Sequence, residues 1–347
     1  MKANLSILGV KDGDANIITL QKEDKNLVIL IDSGEAEYAN YVISKLDTVL
    51  AIENKAAPDL IVCTHYDSDH ISGMLEIIKH YVKKKATIGE VWLHRPTNEF
   101  KSLVKESIDY KSDMLEVVPT YNRFVIESYF TGQNQLKEAK LIIESLNQLD
   151  ELVTYIDSKH IPIKEPFAGD KYSPDWLEIE VFGPSVGYFN HLFPRGIILK
   201  DLITEEIELS SSCKIKSANG ILISDCEILD SNSHKKKVTK TNGASIIINI
   251  NVNGDNLLFT GDADIKSFKA IENYQEKLSN LYFLKIPHHA SRNNLSTELI
   301  NIMRPKYAAV SGDKYIDDEV VGCLRAHGSK VSILDNSESD YSISIGE

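Results

Sequence analysis

The sequence predicts an α/β sandwich carrying insertions, and two observations predict it. Strand-like and helix-like patterns interleave from end to end of the 347 residues, as layered sheets and helices require. Several strand-like runs also stop abruptly at aspartate, histidine or glycine, where a rigid scaffold presents chemistry on its loops. The runs 5–10, 15–20 and 27–31 are short and β-rich, separated by Gly13-Asp14 and a charged turn at 22–26. Residues 38–52 space their apolar positions as a helix does. A strand at 59–64, a helix at 71–81 and a short strand at 91–93 follow. Residues 98–160 turn helical, with Leu141, Ile142, Leu146, Leu149 and Leu152 expected on one side.

Strand alternation resumes at 177–182. The stretch 185–240 holds short β-like pieces at 197–199 and 221–223 and ends in a polar, basic segment. Strands at 245–250, 257–260, 281–286, 307–310 and 331–334 close the chain, with helices between the later ones. There is no repeat of fixed period. One domain over 1–347 is expected, enlarged at about 98–160 and 185–240.

Composition narrows the classes. Hydrophobic content of 42% and charged content of 26% are ordinary for a globular protein. The first ten residues are too short and interrupted for a signal peptide. No apolar run reaches the roughly 20 residues that cross a bilayer. Cys63, Cys213, Cys226 and Cys323 form no CxxC pair, so reduced thiols in a cytoplasmic protein are expected. A formal charge of −13 disfavours an extended nucleic-acid surface, because phosphate binding relies on Lys and Arg. Local basic grooves remain open at His234-Lys-Lys-Lys237 with Lys240, and at Lys83-Lys-Lys85, although such runs are more often simply solvated.

The densest chemical signal is Thr64-His-Tyr-Asp-Ser-Asp-His70, at the end of the strand 59–63. His65, Asp67, Asp69 and His70 are four ligand-type side chains delivered to one point, and imidazole with carboxylate is the usual set for divalent ions in hydrolysis. A solvated acidic turn is the bland alternative. Against it stand three later sites, each next to a predicted strand: Asn242 with Ser245, Thr260-Gly-Asp262, and Pro287-His-His289-Ala-Ser291. Each alone is weak. Gly-Asp and Asn-Gly mark ordinary turns, and one of two adjacent histidines is usually structural. Their order after successive strands makes the joint reading the stronger one. Cys63, on the strand before the motif, reads as a small core residue.

These motifs resemble the metallo-β-lactamase fold, whose usual His-x-His-x-Asp-His signature here carries Asp67 in place of the second histidine. That variant is similar to the hydrolase domain of ComEC-type competence proteins. Val10-Lys-Asp-Gly-Asp-Ala15, Ile29-Leu-Ile-Asp-Ser-Gly34, Asn242-x-x-Ser245, Leu258-Phe-Thr-Gly-Asp262 and His288-His-x-Ser291 match that group's motifs in order. Ala290 replaces a usual glycine, and Asp317-Asp-Glu319 replaces a frequent His-Pro pair. The resemblance implies an αββα sandwich and two divalent ions, Zn or Mn. His65 and Asp67 would hold one ion, Asp69, His70 and His288 (or His289) the other, with Asp262 between. Asn242 falls where relatives often place a histidine, so it marks an open position or a substrate contact, as does Ser245. Asp69, His289 and Ser291 are the candidate catalytic groups.

The implied activity is metal-dependent hydrolysis by an activated water, most readily of phosphodiesters in nucleic acid or nucleotides. A small ester, lactone or amide is the alternative substrate, and a partner-dependent binding protein with a structural metal is the alternative class. Fold alone does not choose among them.

Overall fold

A computed structural model describes residues 1–96, 133–172, 174, 176–194, 197, 199–210, 224–231, 238–312, 316–334 and 340–346. Its strands form two seven-stranded sheets, ordered β14-β1-β2-β3-β4-β5-β6 and β13-β12-β11-β10-β9-β8-β7. The first sheet takes β1 (Lys2–Ile7), β2 (Asn16–Lys22), β3 (Lys25–Ile31), β4 (Leu60–Val62), β5 (Glu90–Trp92), β6 (Ile163–Lys164) and β14 (Tyr341–Ile345). The second takes β7 (Lys171–Tyr172), β8 (Glu178–Gly183), β9 (Ile247–Val252), β10 (Asp255–Phe259), β11 (Phe283–Lys285), β12 (Tyr307–Ser311) and β13 (Lys330–Leu334). Each sheet starts antiparallel and becomes parallel, from β3 to β6 in one and from β10 to β13 in the other.

Alternation along the strands builds the layers. Leu27, Ile29 and Ile31 of β3 point into the space between the sheets, as do Ile248, Ile250 and Val252 of β9. Val28 and Leu30 face the opposite way, toward α1 (Ala39–Ile52), α3 (Met74–Lys83) and α4 (Gln133–Ser158). Leu258 and Leu284 face a third cluster with α11 (Thr297–Met303) and α12 (Asp318–Ala326). Helix, sheet, sheet, helix is the result. A fully buried Leu or Ile in such layers contributes about 1.5–3 kcal/mol, and strand-period patterning fixes which residue does so.

Some expectations need correction. The helix expected at 71–81 is split into α2 (Ser68–Ile71) and α3 at Ser72-Gly73. The chain passes close to the turn after β3 here, since a Cβ on Gly73 would lie 2.7 Å from the Ser33 carbonyl oxygen. Leu141 is 45% exposed on α4, whereas Leu146, Leu149 and Leu152 are buried, because it lies one residue off the buried face next to Ile142. The run 197–199 is not a strand, since Leu199 opens α6 (Leu199–Ser210). Its pieces at 198 and 221–223, like residues 97–132 of the helical insertion, lie outside the described residues. The thiols are not all free: Cys226 on α7 (Asp225–Asp230) is joined to Cys323 on α12 across 97 residues, a pairing no local spacing signals. Cys63 is buried, as expected of a core residue. No described helix is long and apolar enough to cross a membrane.

Candidate metal centre

The parallel strands of both sheets end at one rim, and the motif residues gather there. After β4 the chain turns around Asp32, which follows β3 with a positive φ of 60°. The Asp32 carboxylate accepts from the Thr64 backbone N–H (2.7 Å) and the Thr64 hydroxyl (2.8 Å). It also faces His70 Nδ1 at 2.9 Å. Asp67 immediately precedes α2, so Asp69 and His70 lie within its single turn. Ser33 holds that turn by donating from its N–H and its hydroxyl to the His70 carbonyl. From the second sheet, Asp262 follows β10 and the Pro287–Ala290 turn follows β11. His288, His289 and Ala290 are all left-handed, with φ of 44°, 50° and 62°. Such backbone costs about 1–3 kcal/mol per residue and gathers at functional sites.

Hydrogen bonds to the Nδ1 atoms fix how these rings point. Thr64 gives its hydroxyl proton to Asp32, so its oxygen can accept from His65 Nδ1 at 3.2 Å, and the Ser245 hydroxyl lies 3.3 Å from the same nitrogen. His70 Nδ1 donates to Asp32, and His289 Nδ1 donates to the Ser311 carbonyl at 2.8 Å. Each of these rings therefore turns Nε2 inward. His65 Nε2 lies 3.8 Å from both Asp67 and Asp262 Oδ2. His70 Nε2 lies 3.4 Å from Asp262 Oδ1 and 3.8 Å from Asp69, and His289 Nε2 lies 3.4 Å from Asp69. Two ligand-type groups result, His65–His70–Asp262 and Asp69–His70–His289, the ligand atoms of each lying within 4.8 Å of one another. Asp262 faces both, one oxygen to each side.

His65 Nε2, His70 Nε2 and Asp262 Oδ1 are buried without a hydrogen-bond partner, a costly arrangement unless a charge satisfies them. Burial, then the neighbouring His70, holds His65 down to about 3 and keeps it neutral. Burial works the other way on His70, but Asp32, Asp262 and Asp69 outweigh it and raise that imidazole well above its ordinary range. Burial also opposes ionisation of Asp262, yet His288 and His70 pull it well below the usual carboxylate range.

The remaining predicted residues take varied places. Asn242, in α8 (Lys240–Gly243), donates through Nδ2 to Asp262 Oδ2 at 3.0 Å and lies 3.3 Å from His288 Nδ1. Ser245 accepts from the Asp262 N–H at 3.0 Å. His288 stands on the His65 side, 3.8 Å from Asp262 Oδ2, while His289 is the one beside Asp69 and His70. The Ser291 hydroxyl faces its own turn, accepting from Asn293. Asp317 and Glu319 both pair with Arg292. Lys84 pairs with Asp47, at the far end of a ten-residue helix that spans roughly 15 Å. The basic run 234–237 lies outside the described residues.

Sequence reasoning missed a supporting layer. Asp32 and Asp14 sit in segments already quoted for their resemblance, so their positions carried a signal. Lys285, which contacts Asp14, and Asn294, which donates to the Asp262 carbonyl at 2.8 Å, carried none. Neither did Glu206, whose carboxylate accepts the Lys240 and Thr241 N–H groups at the start of α8.

Comparisons with known proteins found partial matches. The family model for the metallo-beta-lactamase superfamily matches residues 10–154. A hydroxyacylglutathione hydrolase from Pectobacterium atrosepticum is 34% identical over 109 residues, 29% of this chain, and the match spans only 39% of that relative's length. Among solved structures, the metallo-beta-lactamase fold protein YhfI from Bacillus subtilis aligns over 99% of this chain and 100% of its own, at 10% identity and a TM-score of 0.46. Zn(2+)-bound PqqB from Methylobacterium extorquens aligns over 99% and 100%, at 9% identity and a TM-score of 0.46.

Proposed function

We propose that this chain, a metallo-β-lactamase fold by its paired sheets and its family match, is a divalent-metal-dependent hydrolase of phosphodiesters in nucleic acid or nucleotides. The observation that carries the metal reading is the common orientation of His65, His70 and His289. Each commits Nδ1 to an oxygen and turns Nε2 toward carboxylates, the arrangement by which outer hydrogen bonds prepare imidazole ligands. His65, Asp67 and Asp262 would hold an ion on one side, and Asp69, His70, His289 and Asp262 on the other. Three carboxylates and three imidazoles without a thiolate form a hard set, which suits Mn beside Zn. Bound there, divalent ions would supply an activated water and Lewis-acid stabilisation of the attacked and leaving oxygens. The protein's own work is to fix the rings through Asp32, Thr64 and Ser311, and to hold Asp262 through Ser245, Asn242 and Asn294.

The phosphodiester reading is supported by the His-x-Asp-x-Asp-His variant and its resemblance to ComEC-type domains. A second reading, hydrolysis of a small ester or thioester, is favoured by the stretch shared with hydroxyacylglutathione hydrolase and by the net charge of −13. The deciding experiment strips the protein of metal and adds Mn or Zn. Labelled single-stranded DNA and a hydroxyacyl thioester are then offered in parallel, with Asp69→Asn as control. Metal-dependent DNA cleavage lost in the variant supports the proposal. Thioester cleavage alone moves the chain to the second reading, and inertness toward both with either ion rejects hydrolysis of these classes.

A further inference from the structure

Away from the candidate centre, a second cluster of ligand-type side chains lies where α7 meets α12. Cys226 of α7 and Cys323 of α12 are joined there as a disulfide. His327 ends α12 four residues after Cys323, a spacing that puts both side chains on one face of the helix. Its Nδ1 lies 3.8 Å from the sulfur of Cys226 and 3.8 Å from that of Cys323. Cys323 is buried, whereas Cys226 and His327 are half-buried. The cluster is therefore open to solvent along one edge.

A disulfide needs no third partner. Two thiolates with an imidazole, by contrast, are a zinc donor set, softer than the carboxylate-rich centre. In a zinc tetrahedron with bonds of about 2.3 Å to sulfur and about 2.0 Å to nitrogen, sulfur and nitrogen stand about 3.6 Å apart and two sulfurs about 3.8 Å apart. His327 Nδ1 is already near that distance from both sulfurs. The Cα atoms of Cys226 and Cys323 are 4.8 Å apart, so rotation about χ1 can part the reduced sulfurs without moving either helix. Capping is the simpler role for the ring, since Nδ1 lies 2.9 Å from the Cys323 carbonyl. A cap alone does not require equal approach to two sulfurs.

We propose that Cys226, Cys323 and His327 bind a zinc ion when the disulfide is reduced, with water completing the tetrahedron. The joined pair is then the oxidised form of the same site. A small disulfide such as oxidised glutathione converts one form to the other. As the Cys226–Cys323 bond forms, the two zinc-bound thiolates give up two electrons. The small disulfide takes them, its own S–S bond breaks, and two small thiolates and the zinc ion leave. Both forms fasten α7, part of the 185–240 enlargement, to α12. Just before α12, the Asp317 N–H donates to the Ala290 carbonyl at 3.2 Å, in the turn that carries His289. The site shares no residue with the candidate centre, and it stands whether or not the chain is a hydrolase.

The test uses wild type reduced with a phosphine, stripped of metal and titrated with cobalt(II) and then zinc, beside Cys226→Ser and His327→Gln. A thiolate-to-cobalt charge-transfer band reports this site, because the ligand set of the candidate centre holds no thiolate. Reduced wild type is expected to show the band, to lose it as zinc displaces cobalt, and to hold one zinc more than Cys226→Ser. His327→Gln should weaken zinc at this site by at least about tenfold, as even groups behind a ligand do when removed. Oxidised glutathione should release that one zinc from wild type and restore the bridge. The band and the release are read on wild type, so neither depends on a variant folding. Absence of the band from reduced wild type overturns the proposal, as does a band of equal strength in Cys226→Ser. Unchanged zinc affinity in His327→Gln makes the ring a helix cap and overturns it too. A bridge that the phosphine cannot open in the folded protein does the same.

Discussion

Lys285 Nζ lies 2.8 Å from both oxygens of the Asp14 carboxylate. The two side chains are 1% and 2% exposed. Lys285 shares the inward face of β11 with Phe283, so the pair bridges the sheets at the end nearest the metal centre. Asp14 in turn donates its N–H to the Asp69 carbonyl at 3.1 Å. The ion pair thereby anchors the turn that carries Asp69.

Removing one partner of such a pair is costlier than removing both, because a lone buried charge has no compensation. Lys285→Met is expected to lower the unfolding free energy by about 3–5 kcal/mol in urea titrations. Adding Asp14→Asn to that variant should recover a substantial part of the loss. A single variant within about 1 kcal/mol of wild type would mean that the pair contributes little beyond its own desolvation.

Glu206 gives a pH dependence whose sign is fixed by its direction of shift. Burial, partly offset by the Thr241 and Lys240 N–H groups, raises its carboxyl from 4.5 to about 7. The folded state therefore binds this proton more tightly than the unfolded chain does. The associated stability is fully present below about 4.5 and is lost as pH rises through about 7, about 3 kcal/mol in all. Metal-free wild type and Glu206→Gln should be compared by urea unfolding at pH 5 and pH 8. Wild type is expected to lose more stability between them, by an amount of that order. Equal losses would mean that Glu206 titrates normally.

Much of this fold was legible because strand patterning has to serve two buried faces. Ile29 and Leu30, adjacent in β3, reach different clusters, and a run of β-branched residues ending in His65 reads the same before and after folding. The ligand-type residues were legible for a related reason, since each directly follows a strand. The tautomers were not. They depend on Ser311, Thr64 and Asp32, residues whose partners are set by tertiary packing. Lys285 and Asp14 are 271 residues apart, and nothing in either neighbourhood signals the other. The choice between His288 and His289 likewise needed the left-handed turn, which sends adjacent side chains to opposite sides of Asp262.

Gly261 is a place of close approach beside the centre. Its φ is +48°, and a Cβ there would lie 2.7 Å from Thr64 Oγ1 and 2.8 Å from Thr64 Cβ. Gly261→Ala therefore combines backbone strain with overpacking, for a loss of about 2–4 kcal/mol. Because Thr64 orients His65, weaker Mn binding should accompany the lower thermal midpoint. Unchanged binding in a destabilised variant would separate the strain from the site.

Asp32 tests whether outer hydrogen bonds prepare the ligands. Its carboxylate accepts from Thr64 twice and from His70 Nδ1. Asn at this position keeps the size, and Asn is tolerant of the left-handed backbone that Asp32 adopts. What changes is the chemistry at one atom, since an amide nitrogen would face His70 Nδ1 where an acceptor stood. His70 would then take its proton on Nε2 and could not offer that nitrogen to a cation. Asp32→Asn is expected to weaken metal binding by about 10- to 100-fold, while the lost buried hydrogen bonds cost about 1–3 kcal/mol of stability. Calorimetric titration with Mn, beside urea unfolding of the same sample, separates the two effects. Affinity within threefold of wild type would mean that His70 is oriented by packing, and that the Asp32 contact serves the fold alone.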